Sequence, residues 1–177
     1  MHPPPMSTPM SDPTVSIDVN IEAGEWAAAL PDAQALAERA ILAVCTHLGD
    51  VPVNAEVSVL LTDDAHQQIL NRDWRGKDKP TNVLSFPGDD VDDLPPDGLG
   101  GAPVLLGDIA VAFETTQSEA VALPQSLDHY FSHLIVHGML HLLGFDHETE
   151  DDADEMEPLE IEILHGLGIA SPYQDRA

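Results

Sequence analysis

The stretch from His133 to His147 reads His-Leu-Ile-Val-His-Gly-Met-Leu-His-Leu-Leu-Gly-Phe-Asp-His, and it constrains the chain more than any other segment. Leu134, Ile135, Val136, Met139, Leu140, Leu142 and Leu143 make it apolar on nearly every side, the pattern of a helix buried in a core. His137 and His141 are set into that helix four residues apart. At ~1.5 Å per residue such a pair shares one face, about 6 Å apart along the axis. Gly144 falls where the helix should end in a left-handed residue, and the turn there lets His147 approach the same point from a loop. A lone histidine on an apolar helix is ordinarily a core residue, but three at this spacing around a turn glycine point to a metal. Three neutral nitrogens with an open fourth position are how a catalytic zinc centre is built. His137, His141 and His147 are therefore the expected ligands of one zinc ion per chain. His129 and His133 extend the ladder backwards, but His133 lies about 12 Å of helix axis from His141, too far for one tetrahedral centre. His133 is expected to support or pack.

The formal charge of −26, from 6 basic and 32 acidic residues, ordinarily argues against a nucleic-acid partner. The distribution argues differently. Of the six cations, Arg72, Arg75, Lys77 and Lys79 fall within eight positions, while Arg39 and Arg176 stand apart. An acidic chain that concentrates its cations in one loop is expected to set them against an anion, and all four are candidate substrate-binding residues. The single cysteine, Cys45, lies in an apolar helical stretch, permits no intramolecular disulfide and reads as a core residue of a reducing compartment. Residues 1–13 are Pro-rich, lack the apolar stretch of a signal peptide and read as a disordered lead-in to a single domain over 14–177. No apolar run approaches the ~18 residues that a membrane span needs. The expected location is the cytoplasm, with no membrane partner.

Val15, Ile17, Val19 and Ile21 alternate with polar residues, marking a half-buried strand. Pro31 opens a helix with a stripe through Leu36, Ala40, Val44 and Leu48, closed by Gly49. Ala55–Leu61 is a second strand, and Thr62 is the expected N-cap of a helix that runs to about Trp74. A short strand, Asn82–Phe86, precedes an acidic loop over 87–103 that is too long for a plain connection. Val104–Ala112 is a strand carrying a buried-looking carboxylate, Asp108, which either helps orient the site or marks a bulge or strand end. A helix over 114–122 leads through Pro124 and Ser126 into the histidine helix. The last helix packs through Met156, Leu159, Ile163, Leu164 and Leu167 to Gly168, and its regular part is expected to begin near Pro158.

The histidine spacing matches the zinc-protease signature His-Glu-x-x-His-x-x-Gly-x-x-His except that Gly138 stands where those enzymes carry their general base. Peptide hydrolysis would lack the group that takes the proton. A metal can still bring its bound water to a pKa near 7 and polarise a phosphoryl oxygen, and an arginine fork suits phosphate. Zinc-bound water attacking a phosphodiester, with Gly138 leaving space for substrate, is the expectation that follows.

His137-Gly-Met-Leu-His-Leu-Leu-Gly-Phe-Asp-His147 resembles the signature of the YbeY family of bacterial ribosomal-RNA maturation endoribonucleases. So do Trp74-Arg-Gly-Lys-Asp-Lys-Pro-Thr-Asn-Val-Leu-Ser-Phe86, Leu106-Gly-Asp-Ile109 and the acidic segment into the last helix, over roughly residues 55–170. The resemblance implies an α+β fold of α/β/α layers, a small, mostly parallel four-stranded sheet and a central metal-bearing helix. It implies zinc on the three histidines and single-strand-specific RNA cleavage, with roles in small-subunit RNA 3′-end processing and ribosome quality control. The implied partners are single-stranded or ribosomal RNA, the small ribosomal subunit and assembly factors, and not DNA. The family's required arginine maps onto Arg75. The acidic loop and Pro-rich start depart from the family's compact form without touching a functional residue. Two other classes fit the residues less fully: a zinc peptidase with a different base such as Asp146, and a non-catalytic ribosome-assembly factor with structural zinc.

Overall fold

The computed structural model describes residues 15–49, 54–88, 104–123, 125–145 and 150–169, without the side chains of 150–155. The expected lead-in, most of the acidic loop and His147 lie outside the described residues.

Alternating burial builds the sheet. β1 (Val15–Ile21) is half-buried, and β2 (Ala55–Thr62) turns Ala55, Val57, Val59 and Leu61 into the core. β3 (Val83–Pro87) is short, and β4 (Val104–Ala112) is the most apolar. The order is β1-β2-β4-β3, with β1, β2 and β4 parallel and β3 antiparallel to β4 at the edge. The β2–β4 register slips once, so that Glu56 faces Leu105 but Val57 faces Gly107. Gly107 has φ +138, and a Cβ there would sit 2.3 Å from the Phe86 carbonyl oxygen, so this bulge requires glycine.

Six helices complete a single α+β domain among the described residues. α1 (Gly24–Ala29) was not foreseen and supplies a core anchor. Its Trp26 is fully buried against Phe113 and Phe131, and its indole N–H donates to the Thr62 carbonyl at 2.9 Å. α2 (Ala33–Leu48) ends on left-handed Gly49, as expected, and buries Ala37, Ala40, Ile41, Val44 and Cys45. Burial pushes the Cys45 thiol up to about 11. α3 (Asp64–Arg75) is capped by Asp63, one residue after the expected Thr62, because Thr62 remains in β2 and gives its hydroxyl to Glu22. α4 (Phe113–Ala122) leads to α5 (Leu127–Leu142), capped by Ser126.

α5 is the histidine helix and packs against α2, α4, α6 (Glu150–Gly166), β3 and β4. Pro158 lies inside α6 rather than at its start. It is exposed, whereas Met156, Glu160, Ile163 and Leu164 are buried. Packing of that face outweighs the ~3 kcal/mol a mid-helix proline forfeits. With α2 and α5 on the inner face and α3 on the outer, the layers are those expected. No helix among the described residues is long and apolar enough to cross a membrane.

Candidate metal centre

The i, i+4 spacing on α5 brings two ring nitrogens together: Nε2 of His137 and Nε2 of His141 lie 3.0 Å apart. Two nitrogens bound to one tetrahedral zinc at ~2.0–2.1 Å stand about 3.3 Å apart, so the pair would open by about 0.3 Å to share an ion. A carboxylate orients it. Glu160 of α6, fully buried, places Oε2 2.7 Å from His137 Nδ1 and Oε1 3.0 Å from His133 Nε2. An ionised carboxylate only accepts, so a neutral His137 ring donates from Nδ1 and keeps its Nε2 lone pair toward His141. His133 thus meets Glu160, and its ring stands edge-on to that of His137 with centroids 6.4 Å apart.

The C-terminal end of α5 shapes the approach to this pair. Gly144, at φ +101, donates to the His141 carbonyl, and Phe145 N–H reaches back to the Leu140 carbonyl, both at 3.0 Å. This double closure reverses the chain over the last helical turn, as expected from Gly144. Among the described residues, no group of three His, Cys, Asp or Glu side chains could hold a metal. The pair needs a third donor, and the expected one, His147, lies two residues past the last described one here.

His133, His137 and His141 line a cleft of about 730 Å³ with Arg75, Tyr130, Phe145 and the edge segment from Thr81 to Ser85. Arg75 is the last residue of α3, and Gly76 follows in the left-handed conformation. Its Nη1 donates to Asn71 Oδ1 at 3.4 Å, and the buried Asn71 ties the basic loop down by donating to the Lys79 carbonyl at 2.8 Å. Arg75 therefore shares the histidine cleft although it is far away in sequence. Arg72 pairs with Asp73 at 3.1 Å, and neither it nor Lys77 nor Lys79 lines the cleft. At the far end, Tyr130 donates to Glu119 at 2.5 Å, and Asn82 of the edge segment donates to the same carboxylate at 2.9 Å. Burial, then the Glu119 contact, pushes the Tyr130 phenol above its ordinary range, so it stays a neutral donor.

One sequence expectation is corrected, at Gly138, and the alternative left open at Asp108 is decided for the bulge. Gly138 does not open space for substrate, because it is buried against the sheet. A Cβ there would lie 3.0 Å from Ile109 Cγ2 and 3.2 Å from Ser85 Oγ. Ser85 also donates to the Gly138 carbonyl at 3.0 Å, so glycine lets α5 press onto β3 and β4. Asp108 is exposed on the outer face, because the bulge before it shifts the alternation by one residue. It therefore does not orient the histidines. Glu160 was not anticipated, although a carboxylate four residues from Met156 and three from Ile163 stands on the apolar stripe and was a legible signal.

Imidazoles oriented by a buried carboxylate, with a guanidinium in the same cleft, suit a divalent metal and an anionic ligand. Comparison with known proteins gives the affiliation. The sequence profile of the family described as Endoribonuclease YbeY matches residues 20–168. The Endoribonuclease YbeY of Azorhizobium caulinodans is 52% identical over 160 residues, covering 90% of this chain and 96% of that protein. That of Paramagnetospirillum magneticum is 49% identical over 164 residues, covering 92% and 98%. A Thermotoga maritima protein solved in solution shares the fold, with a TM-score of 0.54 at 24% identity over 90% of this chain and 91% of its own. The chain belongs to the YbeY family of endoribonucleases.

Proposed function

We infer that this protein is a zinc-dependent endoribonuclease that cuts single-stranded RNA during ribosomal-RNA maturation, small-subunit 3′-end processing and ribosome quality control. One observation carries the reading beyond family membership. In a chain with 32 acidic residues, the described lining of the histidine cleft contains an arginine and three histidines but neither aspartate nor glutamate. The nearest described carboxylates stand behind that lining and are engaged, Glu119 by Tyr130 and Asn82 and Glu160 by His133 and His137. Asp146, the base a peptidase would use, lies outside the described residues.

His137 and His141, with His147, would hold one zinc per chain. When bound, zinc supplies Lewis acidity at a phosphoryl oxygen and brings water toward ionisation near neutral pH. Glu160 holds the proton on His137 Nδ1 and so keeps Nε2 free to donate its lone pair. Arg75 offers a planar pair of N–H donors to the scissile or adjacent phosphate, an arrangement lysine cannot reproduce. Lys77, Lys79 and Arg72 lie outside the cleft, where they attract flanking phosphates. The partners that follow are single-stranded ribosomal RNA, the small subunit and its assembly factors, in the cytoplasm.

The test is cleavage of an unpaired, end-labelled RNA by zinc-loaded protein. Chelation should abolish cutting, and added zinc should restore it. Arg75→Lys should lose about a hundredfold or more with melting temperature and zinc content unchanged. Cutting by Arg75→Lys at the wild-type rate would remove the phosphate clamp from the reading.

A further inference from the structure

We propose that Trp74 is a stacking platform for one unpaired base of the substrate, seated where the outer face of the sheet meets the edge strand β3. This rests on the reading of the protein as a single-strand ribonuclease and adds a substrate contact to it. Of the two tryptophans, Trp26 is fully buried and Trp74 is 71% exposed. An indole left in water at the end of a helix contributes little to the fold. Phe86 braces it edge-on, with ring centroids 5.8 Å apart and planes at 63°, so the ring is positioned without being covered.

The location is informative. Trp74 immediately precedes Arg75, and consecutive helical side chains diverge by ~100°. The arginine accordingly lines the histidine cleft, while the tryptophan lines a second cleft of about 720 Å³ on the opposite face of the sheet. The two clefts meet at β3, because Pro87 lines both. A strand whose phosphate is held by Arg75 thus has an aromatic face one residue away, around the sheet edge.

Charge decides which part of the strand goes there. Leu60, Leu70 and Leu105 give the outer cleft an apolar floor, and Glu56 and Asp108 bring carboxylates. No lysine or arginine lines it among the described residues. That wall repels a phosphate but accepts an uncharged base, so the backbone stays on the Arg75 side and a base turns onto the indole. Such stacking tolerates any base identity but requires an unpaired base, because a duplex keeps its bases stacked on one another. Trp74 would therefore contribute to single-strand selectivity.

The experiment uses full-length, zinc-loaded protein and an unpaired oligonucleotide of about ten residues, with a hairpin of the same composition as control. Because Trp26 is buried, quenching of tryptophan emission by RNA reports on Trp74. The unpaired strand should quench wild-type emission, and the hairpin should not. Trp74→Ala should abolish the quenching and raise KM by about 5- to 100-fold with little change in kcat. Trp74→Tyr should restore most of the KM, and neither variant should shift the melting temperature. If wild-type protein cuts the unpaired strand while Trp74→Ala keeps its KM, or RNA leaves the emission unchanged, the platform is refuted and the ribonuclease reading stands. If wild-type protein neither binds nor cuts RNA, both fall.

Discussion

Replacing Glu160 by glutamine changes almost no volume and tests what orients the histidine pair. The carboxylate accepts at 2.7 Å from His137 and approaches His133 at 3.0 Å, fully shielded from water. A glutamine amide has one acceptor oxygen, and its nitrogen only donates. One of the two rings must therefore face an N–H. If that ring is His137, its proton moves from Nδ1 to Nε2, the nitrogen that approaches His141, and the lone pair a metal requires is lost. If it is His133, His137 keeps only a neutral hydrogen bond in place of a charge-assisted one. Loss of such an orienting carboxylate typically weakens metal affinity about 10- to 100-fold. Under saturating zinc this removes about 1.4–2.7 kcal/mol of binding-linked stability. For a chain of this size, that lowers the zinc-induced gain in melting temperature by about 3–10 °C. Competition with a chromophoric chelator gives the affinity, and thermal melting with and without zinc gives the linkage. Glu160→Gln with zinc affinity within about twofold of wild type would refute the orienting role. A wild-type protein that binds no zinc would refute the ligand assignment itself.

Gly138→Glu should unfold the α5–sheet contact, since overpacking of a core costs about 1–3 kcal/mol before any buried charge is counted. An unchanged melting temperature would contradict the close packing. Wild-type protein should carry close to one zinc per chain by elemental analysis, and His147→Ala should hold it far more weakly. Full zinc in His147→Ala together with loss in His133→Ala would show that the ligand set is wrong. Lys77→Ala and Lys79→Ala should each weaken RNA binding and flatten the plot of log K against log salt by about 0.7, the value for one single-strand phosphate contact. Slopes equal to wild type would leave the basic loop a solvated turn.

The strands and long helices were legible because their patterns are local. β2 alternates from Ala55 to Leu61 in burial, α2 closes on a glycine, and α5 carries apolar residues on nearly every side, so burial followed from spacing. α1 was not legible. Six residues are too few to show a helical period, and the burial of Trp26 is fixed by Phe113 and Phe131, far along the chain. The N-cap slipped by one because Thr62 and Asp63 can both cap, and only the position of Glu22 shows that Thr62 is otherwise engaged. The helix start at Pro158 was misplaced because a local penalty was weighed without the packing that offsets it.

The site divides along the same line. Convergence of His137 and His141 is a property of one helix, and the sequence carried it; the link of His137 to Glu160 spans 23 residues, and the sequence did not. The apparent burial of Asp108 and the space assigned to Gly138 fail for one shared reason. A periodic pattern states which way a side chain points only while the period holds, and says nothing of what it meets. The β4 bulge broke the period before Asp108 and turned it to the outer face. At Gly138 the period held, but the opposing surface was Ile109 and Ser85 rather than a substrate. The missing glutamate of the zinc-protease signature is thus explained by packing and does not by itself select a phosphodiester. The preference for an anionic substrate rests instead on the cleft walls, where an arginine and three histidines stand without a carboxylate among the described lining residues.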